Sequence, residues 1–149
     1  MRKMMTAAAV VLAGLPAMVM GETLKVKADA PVPEVMDALQ AAVEGAGATV
    51  FARVDHTGGA MSVDMELAPA QLLIFGNPKL GTPAMQDDIE AGLLLPLRVL
   101  VYSDADGQTW LAYADPAELT ALEGIAEDAP YIAMMQGALK KLTGVAAGM

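Results

Sequence analysis

Leu97-Arg98-Val99-Leu100-Val101-Tyr102, then Ser103-Asp104-Ala105-Asp106-Gly107, then Thr109-Trp110-Leu111-Ala112-Tyr113-Ala114 is the stretch that decides the fold. Leu97, Val99 and Val101 alternate with Arg98, Leu100 and Tyr102, the period of a strand with one face turned inward. Turn formers ending in glycine follow, and the run from Thr109 to Ala114 alternates again. Strand, short Asp/Gly turn and strand make a β-hairpin, so this part of the sheet is antiparallel.

Outward from the hairpin, strand and helix periods take turns. Leu72 to Phe75 is a short apolar strand stopped by Gly76-Asn77-Pro78. Thr82-Pro83 reads as an N-cap with proline at the first helical position, opening a helix through Met85, Ile89 and Leu93 that Pro96 closes. Further upstream, Thr23 to Ala28 alternates as a half-buried strand. Val35, Met36, Leu39 and Val43 repeat with helical spacing between Pro33 and the glycines at 45 and 47. Thr49 to Asp55 reads as a strand with Val50, Ala52 and Val54 opposite Phe51 and Arg53, whereas His56 to Leu67 suits either a strand or helical turns. After the hairpin, Asp115-Pro116 caps a short helix from Ala117 to Leu122, and Pro130 to Leu142 is a closing helix that buries Ile132, Met135 and Leu139. The order predicts a single compact α+β domain, its largely antiparallel sheet covered by helices on one face.

Composition narrows the possible roles. The chain has 149 residues, 55% of them hydrophobic, a net charge of −9 and no cysteine. That length holds one core, and the absence of cysteine removes disulfides, thiol catalysis and Cys-based metal sites. The acidity argues against a nucleic-acid partner, since phosphate neutralisation needs clustered Lys and Arg. Residues 1–21 read as a secretory signal peptide: Arg2 and Lys3, an apolar run from Met4 to Leu15, Pro16, then Val19 and Gly21 at the small-residue positions of a cleavage site. An uncleaved anchor is the alternative, disfavoured by Gly14, Pro16 and Gly21. Cleavage near Gly21 would leave a periplasmic or secreted domain over residues 22–149. All 18 acidic residues lie in it and two of the nine basic ones do not, so its charge is −11. No stable membrane insertion is expected of it, because its densest apolar run, Leu93 to Leu97, ends at Arg98.

Leu73-Ile74-Phe75-Gly76-Asn77-Pro78-Lys79-Leu80-Gly81-Thr82, then Gly92-Leu93-Leu94-Leu95-Pro96-Leu97-Arg98 and Tyr113-Ala114-Asp115-Pro116, preceded by Asp55-His56 and Gly59-Ala60, resemble in content and order the DUF302 family of small bacterial proteins. The resemblance covers roughly residues 24–145. It implies a compact α+β fold related to the sheet-and-helix arrangement of TATA-binding protein, often dimeric, and implies no particular reaction. The stretch Ala117-Glu118-Leu119-Thr120-Ala121-Leu122-Glu123 lacks the basic or histidine-containing character of relatives after the Asp-Pro pair.

Chemistry-bearing residues are few. His56 is the single histidine, beside Asp55, which suits it to proton transfer as a general base or to a plain structural role. Ser62 and Ser103 have no nucleophile-elbow context, so a serine hydrolase is excluded. Asn77, Lys79 and Thr82 surround an expected helix N-terminus, where unpaired amides and a cation favour an anion. The same loop also reads as plain turn chemistry. Arg98 projects from an apolar strand, to pair with an acid or to face a pocket. Asp87, Asp88 and Glu90 read as acids that oppose a helix dipole in its first turns. Met36, Met85 and Met135, and Met61 and Met65 with Val63, read as core filler rather than soft copper ligands. The reading is a non-enzymatic homodimer that binds a small molecule, an anion among the candidates, near His56, Asn77, Lys79, Thr82 and Arg98. No metal or cofactor is expected. The alternatives are an enzyme with His56 as general base, and a structural or partner-binding module.

Overall fold

The computed structural model describes residues 21–149. Residues 1–20 of the expected signal peptide lie outside the described residues. Strands β1 (Thr23–Ala28), β2 (Thr49–Asp55), β3 (Ala70–Gly76), β4 (Leu97–Ser103) and β5 (Thr109–Ala114) form one sheet in the order β1-β5-β4-β3-β2. Every neighbouring pair is antiparallel. Helices α1 (Val32–Gly45) and α4 (Pro130–Ala147) pack together on one face of it. The expected architecture holds: one α+β domain with helices on a single face of the sheet.

The hairpin forms as its sequence directs. Tyr102 pairs with Trp110 and Ser103 with Thr109, and Gly107 takes the positive φ of 79° that the turn requires. Alternate residues point inward, so Leu73, Phe75, Val99, Val101, Leu111 and Tyr113 are buried against Val35, Met36, Leu39 and Val43 of α1 and Leu139 and Leu142 of α4. The other face carries Val54, Leu72, Ile74, Leu100, Tyr102, Trp110 and Ala112, all partly exposed.

Several local readings change in the tertiary structure. The strict alternation of β2 is broken by a bulge between Val50 and Ala52: Val50 packs on the core, Phe51 is 57% exposed, and Arg53 lies on the helix side. There Arg53 pairs with Asp37 of α1 at 2.6 Å and donates to Gln71 at 2.8 Å. The ambiguous segment starts as a short helix, α2 (His56–Met61). Met61, Val63, Met65 and Leu67 beyond and within it are exposed, so Met61 and Met65 fill no core. Only Met36 and Met135 of the five methionines read as filler are buried, and Met85 is 38% exposed.

The helix expected at Thr82 starts earlier. α3 runs Pro78–Asp87 with Asn77 as N-cap, and Pro83 lies inside it. A 3-10 turn over Ile89–Leu93 follows, burying Ala91 and leaving Ile89 and Leu93 exposed. Asp87 and Asp88 therefore stand at the C-terminal end of α3, where they do not complement its dipole. Hydrogen bonding accounts for them instead. Asp87 accepts from the Tyr131 hydroxyl at 2.8 Å, and Asp88 accepts from the amides of Glu90 at 3.0 Å and Gly124 at 3.2 Å. These bonds tie the end of α3 to the start of α4. Around the tie a second core cluster gathers Ala84, Leu119, Ile125, Ile132 and Met135.

Candidate functional site

A cleft of about 480 Å³ opens at the end of the sheet, at the junction of the two core clusters. β3 delivers the chain there and stops at Gly76, where a Cβ would lie 3.4 Å from the Phe51 ring and 3.5 Å from Pro96. Asn77 follows in an extended conformation, φ −132° and ψ 120°, and its side chain accepts the Lys79 amide at 3.0 Å. Its carbonyl oxygen takes the amides of Leu80 and Gly81 at 2.9 and 3.0 Å, which closes the first turn of α3. Pro78 at the first helical position has no amide to satisfy.

The walls are apolar. Phe51, Leu80, Met85, Leu95, Pro96 and Met135 line the cleft, with Asn77 and Thr82 as its polar side chains and no charged one. Phe51 reaches it because the β2 bulge swings that ring out of the strand's alternation. The Leu95-Pro96 peptide, which is cis, forms the facing edge.

The five residues singled out from the sequence do not share one site. Asn77 and Thr82 line the cleft; His56, Lys79 and Arg98 do not. His56 begins α2 after Asp55, which pairs with Gln71, whereas Asn77 follows Gly76, which pairs with Thr49 at the other end of the same two strands. Six strand rises separate the ends, about 20 Å. The Asp55 carboxylate is engaged as the N-cap of α2, accepting the Gly58 amide at 2.9 Å, so it does not serve His56 in the way the adjacent sequence suggests. Lys79 is exposed on the first turn of α3. Arg98 is exposed on the opposite face of β4 from Val99 and lines a different cavity, of about 370 Å³. It has no acid within 4.0 Å among the described residues, so the paired reading of Arg98 does not hold. Phe51, Leu80, Met85, Leu95, Pro96 and Met135 are cleft residues that sequence reasoning did not place in a site. For Phe51 the available signal was an aromatic residue in a strand whose other residues are β-branched, small or charged.

Two groups elsewhere have perturbed acidity. Burial, reinforced by the hydrogen bond to Asp87 and that group's charge, raises the Tyr131 phenol from 10.0 to about 12. The Asp104 carboxyl lies below its ordinary value, chiefly because it accepts the Trp110 indole N–H at 2.8 Å and also because it accepts the Gln108 amide. The first bond ties Tyr131 of α4 to the end of α3, and the second ties Trp110 of β5 to the hairpin turn. Among the described residues no group of three or more His, Asp or Glu side chains is placed to hold a metal ion.

With the sheet order, the Asn77 turn and the cleft established, comparison with known proteins is decisive on family. The model of the family described as "Domain of unknown function DUF302" matches residues 23–145. The chain belongs to the DUF302 family. Its fold is similar to the crystal structure of the uncharacterized conserved protein DUF302 from Bacillus stearothermophilus, with a TM-score of 0.66 at 17% identity over 89% of this chain and 98% of that one. Curated relatives are the proteins named fluoride-specific ion channel FluC 1 of Brucella suis biovar 1 and of Brucella abortus biovar 1. Each is 41% identical over 108 residues, 71% of this chain. This DUF302 chain thus spans 42% of the length of the first and 40% of the second. No described helix is long and apolar enough to cross a membrane.

Proposed function

We propose that this DUF302 domain is a non-enzymatic binding module whose ligand is a small, largely apolar molecule held in the Asn77 cleft. The observation that carries the reading is the cleft's make-up: about 480 Å³, walls of Phe51, Leu80, Met85, Leu95 and Met135, and Asn77 and Thr82 as its polar side chains. Concave apolar sites with a few placed polar groups are the usual form of small-molecule sites. The absence of charged side chains from the lining moves the reading away from an anion at this place. The start of α3 supports that move, because its first free amide already bonds Asn77. A general-base role for His56 gains no support, since it stands about 20 Å along the strands from Asn77. The channel activity in the names of the Brucella relatives is not carried over, because the chain spans 42% or less of them.

The test uses the neutral fluorescent probe N-phenyl-1-naphthylamine, with wild type and Ala138→Phe, which adds a ring from α4 into the cleft. Saturable fluorescence enhancement that Ala138→Phe abolishes, with unchanged circular dichroism, is expected. Absence of saturable binding, or equal binding by the variant, overturns the proposal.

A second reading, self-association, is favoured by the outer sheet face, where Val54, Leu72, Ile74, Leu100 and Ala112 are partly exposed. Five strands at about 4.8 Å spacing and a strand length of about 23 Å present on the order of 500 Å² before side-chain relief is counted. That approaches the ~800 Å² per partner of a stable interface. Lys25 and Lys27 on β1 would sit at its rim. Sedimentation velocity of wild type and Ile74→Glu decides it: a dimer that the variant dissociates supports the reading, and a wild-type monomer refutes it.

A further inference from the structure

β4 and β5 part company at one end. Their ladder runs from Ser103 and Thr109 to Leu100 and Ala112 and stops there. Beyond it Val99 and Arg98 pair only with Leu73 and Ile74 of β3, while Tyr113 and Ala114 pair only with Leu24 and Thr23 of β1. The cavity of about 370 Å³ lies at this divergence, within the ~300–1,000 Å³ typical of small-molecule sites. Leu72, Leu100, Ala112, Leu119 and Leu139 wall it, and it shares only Leu95 and Leu97 with the Asn77 cleft.

Two charged side chains line this cavity, Arg98 and Glu118, and they do not pair: the one ion pair among the described residues is Arg53 with Asp37. Arg98 donates no hydrogen bond to any described residue either, whereas Arg53 donates to Asp37 and Gln71. A guanidinium is a planar fork of donors that matches a carboxylate with two parallel bonds, and it is less strongly hydrated than an ammonium. Arg98 stands at the edge of a leucine-walled cavity in a chain of net charge −9.

We propose that the cavity between the diverging ends of β4 and β5 binds a small apolar monocarboxylate, its head on Arg98 and its alkyl body against Leu72, Leu100, Leu119 and Leu139. Glu118 in the same lining sets the charge limit, since it repels a second carboxylate and so selects against dicarboxylates. The site is separate from the Asn77 cleft and stands or falls without it.

Octanoate and octan-1-ol, titrated into methyl-labelled protein and followed by NMR, test this. Octanoate is expected to shift the Leu72, Leu100 and Leu119 methyls saturably, with octanol binding there roughly tenfold more weakly for want of the charge-assisted bonds. Arg98→Met is expected to weaken octanoate roughly tenfold and leave octanol unchanged, while Arg98→Lys restores part of the loss. Because Arg98 is exposed and without a described partner, the variants keep the fold, which the same spectra report. Equal binding of the two probes, insensitivity of octanoate to Arg98→Met, no saturable shift, or shifts confined to the Met85 and Met135 methyls would each overturn it.

Discussion

Replacing Gly124 with alanine and Gly137 with alanine makes one chemical change at two places, and the surroundings give it opposite signs. Neither glycine is held by a left-handed backbone, since positive φ among the glycines occurs at 47, 107 and 148. At Gly137, on α4, a Cβ meets nothing within 4 Å. Alanine there gains the helix preference and the reduced unfolded-state entropy that glycine lacks, about 0.5–1 kcal/mol. At Gly124 a Cβ would fall against the Asp87 carbonyl oxygen and 2.9 Å from the Asp88 Cβ, backbone and near-backbone atoms that cannot swing aside. The same glycine donates its amide to Asp88, so displacement also loosens the tie between α3 and α4. Overpacking of this kind costs about 1–3 kcal/mol, offset by about 0.4–1 kcal/mol from the unfolded chain, for a net loss of about 1–2 kcal/mol. In a domain of this size that lowers the Tm by roughly 3–8 °C, against a rise of about 2–3 °C for Gly137→Ala. Urea and thermal melts followed by circular dichroism measure both. Because α3 roofs the Asn77 cleft, Gly124→Ala should also weaken N-phenyl-1-naphthylamine binding. A Gly124→Ala protein as stable as wild type, or both variants moving together, would show that the tie does not constrain the fold.

Asn77→Ala removes the acceptor of the Lys79 amide and is expected to cost about 1 kcal/mol in chemical denaturation, with Asn77→Asp retaining most of the stability. Tyr131 keeps its proton in the folded state to about pH 12 while the unfolded chain releases it near 10.0, so its contribution is full below pH 10 and is lost as pH rises toward 12. Wild type should therefore lose stability relative to Tyr131→Phe across that window, and a constant difference would contradict it. Asp104 has the opposite sense: its lowered pKa contributes stability above 3.8 that disappears as pH falls through the native value. The single tryptophan, Trp110, donates to that carboxylate, so its fluorescence should change over the same acid range and Asp104→Asn should abolish the transition.

Much of the architecture is local in origin and was legible. The Leu97–Ala114 hairpin, the Val35-Met36-Leu39-Val43 stripe of α1 and the closing helix follow from side-chain period and turn residues, which act over a few positions. Where two local signals competed, the sequence could not arbitrate. Gly76-Asn77-Pro78 reads as a turn and Thr82-Pro83 as a cap and first helical position, but the structure begins α3 at Asn77-Pro78, keeping Pro83 inside the helix while Ala84 beside it is fully buried. The bulge that frees Phe51 was invisible for a related reason: it depends on how Val50 and Ala52 register against Phe75 and Ile74, partners distant in sequence.

The sequence by itself determined the class of the domain, the antiparallel hairpin, the absence of thiol chemistry in a chain without cysteine, and Asn77 as a turn residue of interest. Only the tertiary structure decided what meets what. It put His56 and Asn77 at opposite ends of two paired strands, carried Phe51 and Met135 into one cleft, and left Arg98 facing a cavity of its own. Periodicity records which way a side chain leaves its own backbone, but convergence depends on strand order and register, which are set by contacts between residues far apart in the chain.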